Sequence, residues 1–323
     1  MSVQRTVDSR LPPAVVICGP TAAGKTGVAL EIARRMPVRL ISADSVQVYR
    51  GMDIGTAKPD ASTLAEFPHA LIDIRDPEQG YSVAEFVRDA GAEIDVARAD
   101  GALPVVVGGT ALYLRALRYG LDAMPSADAE LRRRITAEAA REGWPAMHQR
   151  LAQLDPASGR RIRPSDPQRI QRALEVCLAS DRPASSFRRG RGPDRLADSL
   201  LLVISPADRG QLHRRIEARC SQMLALGLVE EVEQLLERPA LKRSSMALRA
   251  VGYRQVVEHL DGAFAREQLA DRVSAATRQL AKRQLTAFRK WSGGLWYDPL
   301  NLQTIDRIIS RVSEFGAAKG IAS

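Results

Sequence analysis

The chain has 323 residues, enough for one large or two medium domains, with 45% hydrophobic residues to fill a core and a net charge of +9. No apolar run approaches the ~18 residues of a membrane span, and residues 1–13 show no apolar leader segment. The scattered Cys18, Cys177 and Cys220 argue against a disulfide framework, and four equally scattered histidines argue against a zinc or iron–sulfur site. These properties suggest a cytoplasmic, monomeric protein with no membrane partner.

The first third predicts alternating strands and helices. The apolar run Ala14–Cys18 reads as a buried strand. It enters Gly19-Pro20-Thr21-Ala22-Ala23-Gly24-Lys25-Thr26, which fits the phosphate-cradling pattern G-x-x-x-x-G-K-[ST]. Lys25–Met36 predicts the helix that follows. A strand, a glycine turn and a helix start aim several backbone N–H groups at one point and favour an anion there. Lys25 adds a positive charge, and the Thr26 hydroxyl suits a Mg²⁺ ion or a phosphate oxygen. This motif specifies a phosphate chain and leaves open what the phosphate is attached to.

Val38–Ser42 predicts a second strand, ending at Asp44. His69–Ile74 predicts a third strand, Val83–Arg98 a helix, and Leu103–Val107 a strand running into Gly108-Gly109-Thr110, with a helix over Ala111–Leu117. The order implies an α/β fold of the P-loop NTPase type: a doubly wound parallel sheet whose ligands sit beyond the carboxyl ends of its strands. Glycine loop, Asp44 and Thr110 should therefore converge. A carboxylate in that place can be a magnesium ligand, a general base, an acceptor for an amino or hydroxyl group, or simply the cap of the next turn. Asp73 and Asp76 are rival carboxylates. Thr110 offers either a hydroxyl for a leaving group or a tight turn's cap.

Strand signals stop near Met124. Residues 124–198 carry 15 Arg against 10 acidic residues and predict a helical insertion, with helices over Ala129–Glu142, Trp144–Leu154 and Pro167–Leu178 and a basic loop from Phe187 to Pro193. A core strand over Ser199–Ser205 then completes a first part spanning 1–123. Long helices follow over Asp208–Leu226 and Leu228–Arg238, with Gly227 as a cap between them. Residues 241–290 carry 11 Lys or Arg against 4 acids. Within them, a helix over Ala275–Trp291 puts Arg278, Lys282, Arg283, Arg289 and Lys290 on one side. Val273, Ala276, Leu280, Leu285, Phe288 and Trp291 fall on the other. Such a stripe suits a nucleic-acid backbone or is a solvated face. Arg249-Ala250-Val251-Gly252-Tyr253-Arg254 adds phosphate contacts and a ring for stacking. The tail after Phe315 reads as loose.

Several segments together resemble one family. After the glycine loop come Asp44-Ser45-Val46-Gln47-Val48-Tyr49-Arg50-Gly51-Met52-Asp53-Ile54-Gly55-Thr56-Ala57-Lys58-Pro59 and Gly108-Gly109-Thr110-Ala111-Leu112-Tyr113. Asp166-Pro167-Gln168-Arg169-Ile170-Gln171-Arg172, Val251-Gly252-Tyr253-Arg254-Gln255 and Arg278-Gln279-Leu280-Ala281-Lys282-Arg283-Gln284 follow. The chain resembles the bacterial tRNA dimethylallyltransferases from about Ala14 to Trp291. The resemblance implies transfer of a dimethylallyl group from dimethylallyl diphosphate to the exocyclic amino group of the adenosine 3′ of a tRNA anticodon. It implies that the glycine loop and Arg219 hold the diphosphate with Mg²⁺, that Asp44 accepts the amino proton, and that Thr110 lies near the reacting centre. It further implies tRNA contacts at Asp44, Ser45, Val46, Gln47, Thr110, Arg132, Gln168, Arg169, Ile170, Gln171 and Arg172. Others fall at Arg249, Ala250, Val251, Gly252, Tyr253, Arg254, Lys282, Arg283, Gln284, Leu285, Thr286, Ala287, Phe288 and Arg289. Val46, Ala111 and Ala287 depart from the family pattern of Met, Gly and Trp. A P-loop small-molecule kinase using ATP and a non-catalytic RNA-binding P-loop protein are the rival readings.

Overall fold

A computed structural model describes residues 10–126, 128–188, 190 and 192–321. The expected signals at residues 1–9, Arg189 and Arg191 lie outside them. The chain divides into two compact units, Met1–Tyr119 with Asp194–Ser323, and Gly120–Pro193.

In the larger unit, chain order gives β1 (Val15–Cys18), α1 (Lys25–Ala33), β2 (Val38–Ser42), α2 (Ala61–Glu66), β3 (His69–Ala70), α3 (Val83–Ala99), β4 (Leu103–Gly108) and α4 (Ala111–Tyr119). The smaller unit holds α5 (Ala129–Glu142), α6 (Trp144–Leu154), α7 (Pro156–Arg161) and α8 (Pro167–Ser180). The larger unit resumes with β5 (Leu200–Ile204), α9 (Arg209–Ala225), α10 (Leu228–Leu236), α11 (Tyr253–Leu260), α12 (Leu269–Phe288), β6 (Leu295–Tyr297) and α13 (Thr304–Ala318).

The six strands form one parallel sheet in the order β3-β2-β4-β1-β5-β6. Alternation along each strand sorts its side chains into two cores, as the period of 2 requires. Val16, Cys18, Ile41, Val106, Leu201 and Val203 face α3, α4 and the α9–α12 group. Val15, Ile17, Leu40, Val105, Leu202 and Ile204 face α1 and α13. Helices on both faces leave the carboxyl ends of the strands as the open edge where loops gather.

Several expectations need correction. The third strand stops at Ala70, because Leu71 (φ 67°) and Asp73 (φ 54°) are left-handed and break the extended run. The tail is not loose: α13 continues to Ala318, and Ile321 is buried against the second core. The basic helix begins at Leu269 and ends at Phe288, so Trp291 lies beyond it. The smaller unit closes before residue 194 because the next residues pack on the larger one. Arg195 N–H donates to Arg118 O at 2.7 Å, and Leu196 sits in the first core. Helices α2 and α7 and strand β6 are too short to show a period.

Candidate active site

The glycine loop leaves β1 and turns into α1. Ala22 holds a left-handed φ of 62°, a strained setting for a residue with a Cβ. Its carbonyl accepts from Arg215 Nε, on α9, at 2.8 Å, which braces the turn. Lys25 Nζ donates to Pro20 O at 2.8 Å. Burial, followed by the charge of Arg219, lowers the Lys25 pKa to about 8, with Asp44 and Cys18 opposing. Burial also lowers the Arg219 pKa, again against Asp44. Both cations therefore feel the same carboxylate.

Thr21, Lys25, Thr26, Asp44, Gln47 and Arg219 line one cavity of about 150 Å³. Its opposite walls come from Ala250, Val251 and Gly252 and from Leu280, Thr277 and Val273 of α12. The expected convergence of the strand ends is thus present for the glycine loop and Asp44. Thr110 is set differently: its Oγ1 accepts from Ser45 N–H at 3.0 Å and donates to Ser45 Oγ at 3.3 Å, so it ties the Asp44 segment to β4. Asp44 Oδ1 accepts from Val46 N–H at 2.8 Å and Gln47 N–H at 3.3 Å. Oδ1 thus caps the turn while Oδ2 is left without a protein partner among the described residues. His69 also lines the cavity; its Nδ1 lies 2.7 Å from Phe67 O, and burial lowers its pKa against the pull of that hydrogen bond.

The run from Asp53 to Pro59 builds one wall through long-range contacts. The Glu231 carboxylate accepts from the N–H groups of Asp53 (2.9 Å), Ile54 (2.7 Å) and Gly55 (3.2 Å), and from Tyr253 Oη–H at 2.5 Å. A Cβ on Gly55 would fall 2.5 Å from the Tyr253 ring, so that approach requires glycine. The turn so held presents Thr56 O to Gln47 Nε2 and Arg219 Nη2, each at 3.3 Å. Lys58, 3% exposed, pairs with Asp53 and with Asp73 at 2.6 Å. Asp73 is thus held on Lys58 and does not line the cavity. Asp76 pairs with Arg50 at 3.2 Å.

The expected RNA-facing residues divide into exposed and buried sets. On α12, Lys282, Arg283 and Thr286 are exposed, as is Arg289 just past its end, whereas Arg278 is partly covered and pairs with Glu217 at 2.9 Å. Leu285 packs partly buried against the first core, and Phe288 is wholly inside it. Ala287 is half-buried. Gln284 is buried too, its amide committed to Thr21 N–H and Gly109 O. Tyr253 is fully buried and offers no ring face, which corrects the stacking expectation, while Arg249 and Arg254 beside it are exposed.

In the smaller unit, Ile170 is a core residue rather than an RNA contact. Arg132 grips the buried Glu175 at 2.7 and 3.2 Å, and Arg172 meets the same carboxylate at 3.3 Å. Gln171 donates to Thr136 Oγ1 at 2.7 Å. Gln168 and Arg169 are exposed. Gln284 lines the cavity, while Arg215 and Glu231 brace the glycine loop and the 53–55 turn from behind it; composition and motif did not single out these roles. For Gln284 a signal existed, since it lies one turn before Phe288 on the inward side of α12.

Comparison with known proteins places this architecture. The profile described as "IPP transferase" matches residues 47–291. A tRNA dimethylallyltransferase of Alkalilimnicola ehrlichii is 51% identical over 94% of this chain and 96% of its own length. One from Thiobacillus denitrificans is 50% identical over 95% and 97%. The solved tRNA isopentenylpyrophosphate transferase of Bacillus halodurans superposes with a TM-score of 0.69 at 34% identity, covering 95% of this chain and 98% of that one. A eukaryotic dimethylallyltransferase, at 24% identity and TM-score 0.79, shares the fold.

Proposed function

The chain belongs to the IPP transferase family, and we propose that it transfers a dimethylallyl group from dimethylallyl diphosphate to the exocyclic amino group of the adenosine immediately 3′ of a tRNA anticodon. The observation that carries this reading is one cavity pairing a phosphate-type loop and two cations, Lys25 and Arg219, with a single lining carboxylate, Asp44.

The chemistry follows from that pairing. The adenosine nitrogen attacks C1 of the donor, a C–N bond forms, the C1–O bond breaks, and diphosphate leaves with the electron pair. Lys25, Arg219 and the loop's N–H groups stabilise the charge that develops on the leaving group. An aryl amine is a weak nucleophile, so the site must position it and take its proton. Asp44 does so through Oδ2 while Oδ1 keeps the turn in place. The Asp44 loop is in turn held by Thr110.

A Mg²⁺ ion suits the donor set. Thr26 and Asp44 supply hard oxygen atoms at the cavity, and an ion bound with a diphosphate needs only one or two ligands from protein. Thr26 would hold it, and it would neutralise phosphate charge.

Exposed Lys282 and Arg283 on α12 and Arg289 just past it, with Arg249 and Arg254, suit the tRNA backbone. Arg132, Gln168 and Arg169 of the smaller unit suit the anticodon arm. The protein is proposed to act as a cytoplasmic monomer. Incubation with tRNA, labelled dimethylallyl diphosphate and Mg²⁺, and separately with ATP, tests the reading. Label in tRNA is the expected result. Phosphate transfer from ATP without prenylation would instead make it a kinase, and tRNA binding without either reaction a binding protein.

A further inference from the structure

Helix α12 does two things at once. Its outer side exposes Lys282 and Arg283, with Arg289 exposed just past its end, and its inner side sends Gln284 into the wall of the cavity. Gln284 is 8% exposed. Its Oε1 accepts from Thr21 N–H at 2.8 Å, and its Nε2 donates to Gly109 O at 2.9 Å. One amide therefore joins the glycine loop after β1 to the loop after β4, reaching residues 263 and 175 positions away.

The chemistry of the side chain fits this use closely. A neutral amide of this length offers an acceptor and a donor on adjacent atoms without carrying a charge. A carboxylate could not donate to Gly109 O and would repel a diphosphate, and an ammonium could not accept from Thr21. Gly109 is adapted to the amide as well, because a Cβ there would lie 2.5 Å from Gln284 Nε2. A stripe buried between Ala281 and Phe288 would otherwise favour an apolar residue, since an interior amide must recover its lost hydration.

We propose that Gln284 is a positioning residue, fixing the glycine loop against the Gly108–Thr110 loop so that diphosphate and acceptor meet at a set distance. This rests on the function proposed above. Gln284 touches neither reacting atom and acts through Thr21 and Gly109.

The test compares the full chain with Gln284→Met, which keeps the length and removes the amide. Four quantities are measured: kcat and KM for dimethylallyl diphosphate, affinity for inorganic diphosphate with Mg²⁺, tRNA affinity without donor, and hydrogen exchange of the 19–24 backbone. The variant should lose about 10²-fold in kcat/KM for the donor, the scale of an ångström-sized misplacement. It should also bind diphosphate more weakly, exchange the Thr21 amide faster, and hold tRNA within about twofold of the parent. Unchanged donor kinetics and diphosphate affinity would overturn the proposal. So would tRNA affinity falling in step with activity, because Gln284 would then be an RNA contact. A parent that binds diphosphate but transfers no prenyl group sinks the functional reading, while the variant's diphosphate affinity still decides the role of Gln284. Should Gln284→Met not fold, the neutral Gln284→Asn, whose amide is one methylene too short to hold both Thr21 and Gly109, takes its place with the same losses expected. An unprotected Thr21 amide in the parent refutes the proposal by itself.

Discussion

Removing the ammonium of Lys25 exposes an unusual opposition between stability and affinity. In the ligand-free protein its pKa is lowered to about 8, first by burial and then by Arg219. At that value about three quarters of the protein carries the charged lysine at pH 7.5 and about one tenth at pH 9. The donor's terminal phosphate, with a second pKa of ~6, stays ionised across this range. If the diphosphate binds only the charged lysine, donor affinity should fall about eightfold between pH 7.5 and 9. The stability of the free protein should move the other way. The folded-state pKa lies below the unfolded one, so the unfolded chain binds more protons between about 8 and 10.5, and stability rises with pH through that window. Donor titrations by calorimetry in two buffers of different ionisation heat, alongside urea unfolding at each pH, read both trends. Lys25→Met should weaken donor binding at pH 7.5 and flatten both profiles. A donor affinity independent of pH from 7.5 to 9, or an unchanged slope in Lys25→Met, would refute the argument.

Asp44→Asn keeps an oxygen for the Val46 and Gln47 amides, so the turn should survive. Turnover at saturating substrates should fall by about 10²–10⁴, the usual cost of losing a general base. Single-turnover prenylation beside a tRNA-binding assay checks this, and a near-parental rate removes Asp44 from the role. Replacing exposed Lys282, Arg283 and Arg289 together with Ala should lessen the salt dependence of tRNA binding by up to about 2–3 in logarithmic slope while diphosphate affinity holds. An unchanged slope would make that surface a solvated face. Phe288→Ala should cost about 3–5 kcal/mol of stability by denaturant unfolding, as expected of a wholly buried ring. A loss confined to tRNA affinity would return Phe288 to the RNA surface.

The parts of the site legible in sequence are those whose geometry is local. A glycine loop between a strand and a helix, and a carboxylate just after a strand, are each written within a few consecutive residues. The sheet's alternation made the strand-end convergence legible too. What escaped depends on contacts across the chain. The stripe that α12 buries runs Val273, Thr277, Ala281, Gln284, Phe288. A count of apolar residues alone passes over Thr277 and Gln284, and the family resemblance offered Gln284 only as an RNA contact. Tyr253 sits between basic residues in sequence, yet Glu231 and the Gly55 backbone draw it inside. Glu231 itself resembles any other acid in the first turn of a surface helix, since its partners lie 176 to 178 positions earlier.

That last separation has a consequence for the newborn chain. The Asp53–Gly55 turn emerges from the ribosome long before the carboxylate that closes it. At about 5–20 residues per second, some 9–36 s pass before Glu231 is synthesised, and Tyr253 and Gln284 come later still. Throughout that interval the glycine loop and β1–β4 exist without the residues that complete the cavity wall. The pocket is therefore a late product of synthesis, assembled only when α12 has left the ribosome. A nascent chain halted before α10 should carry the phosphate-loop sequence and yet present no formed site for a donor to occupy.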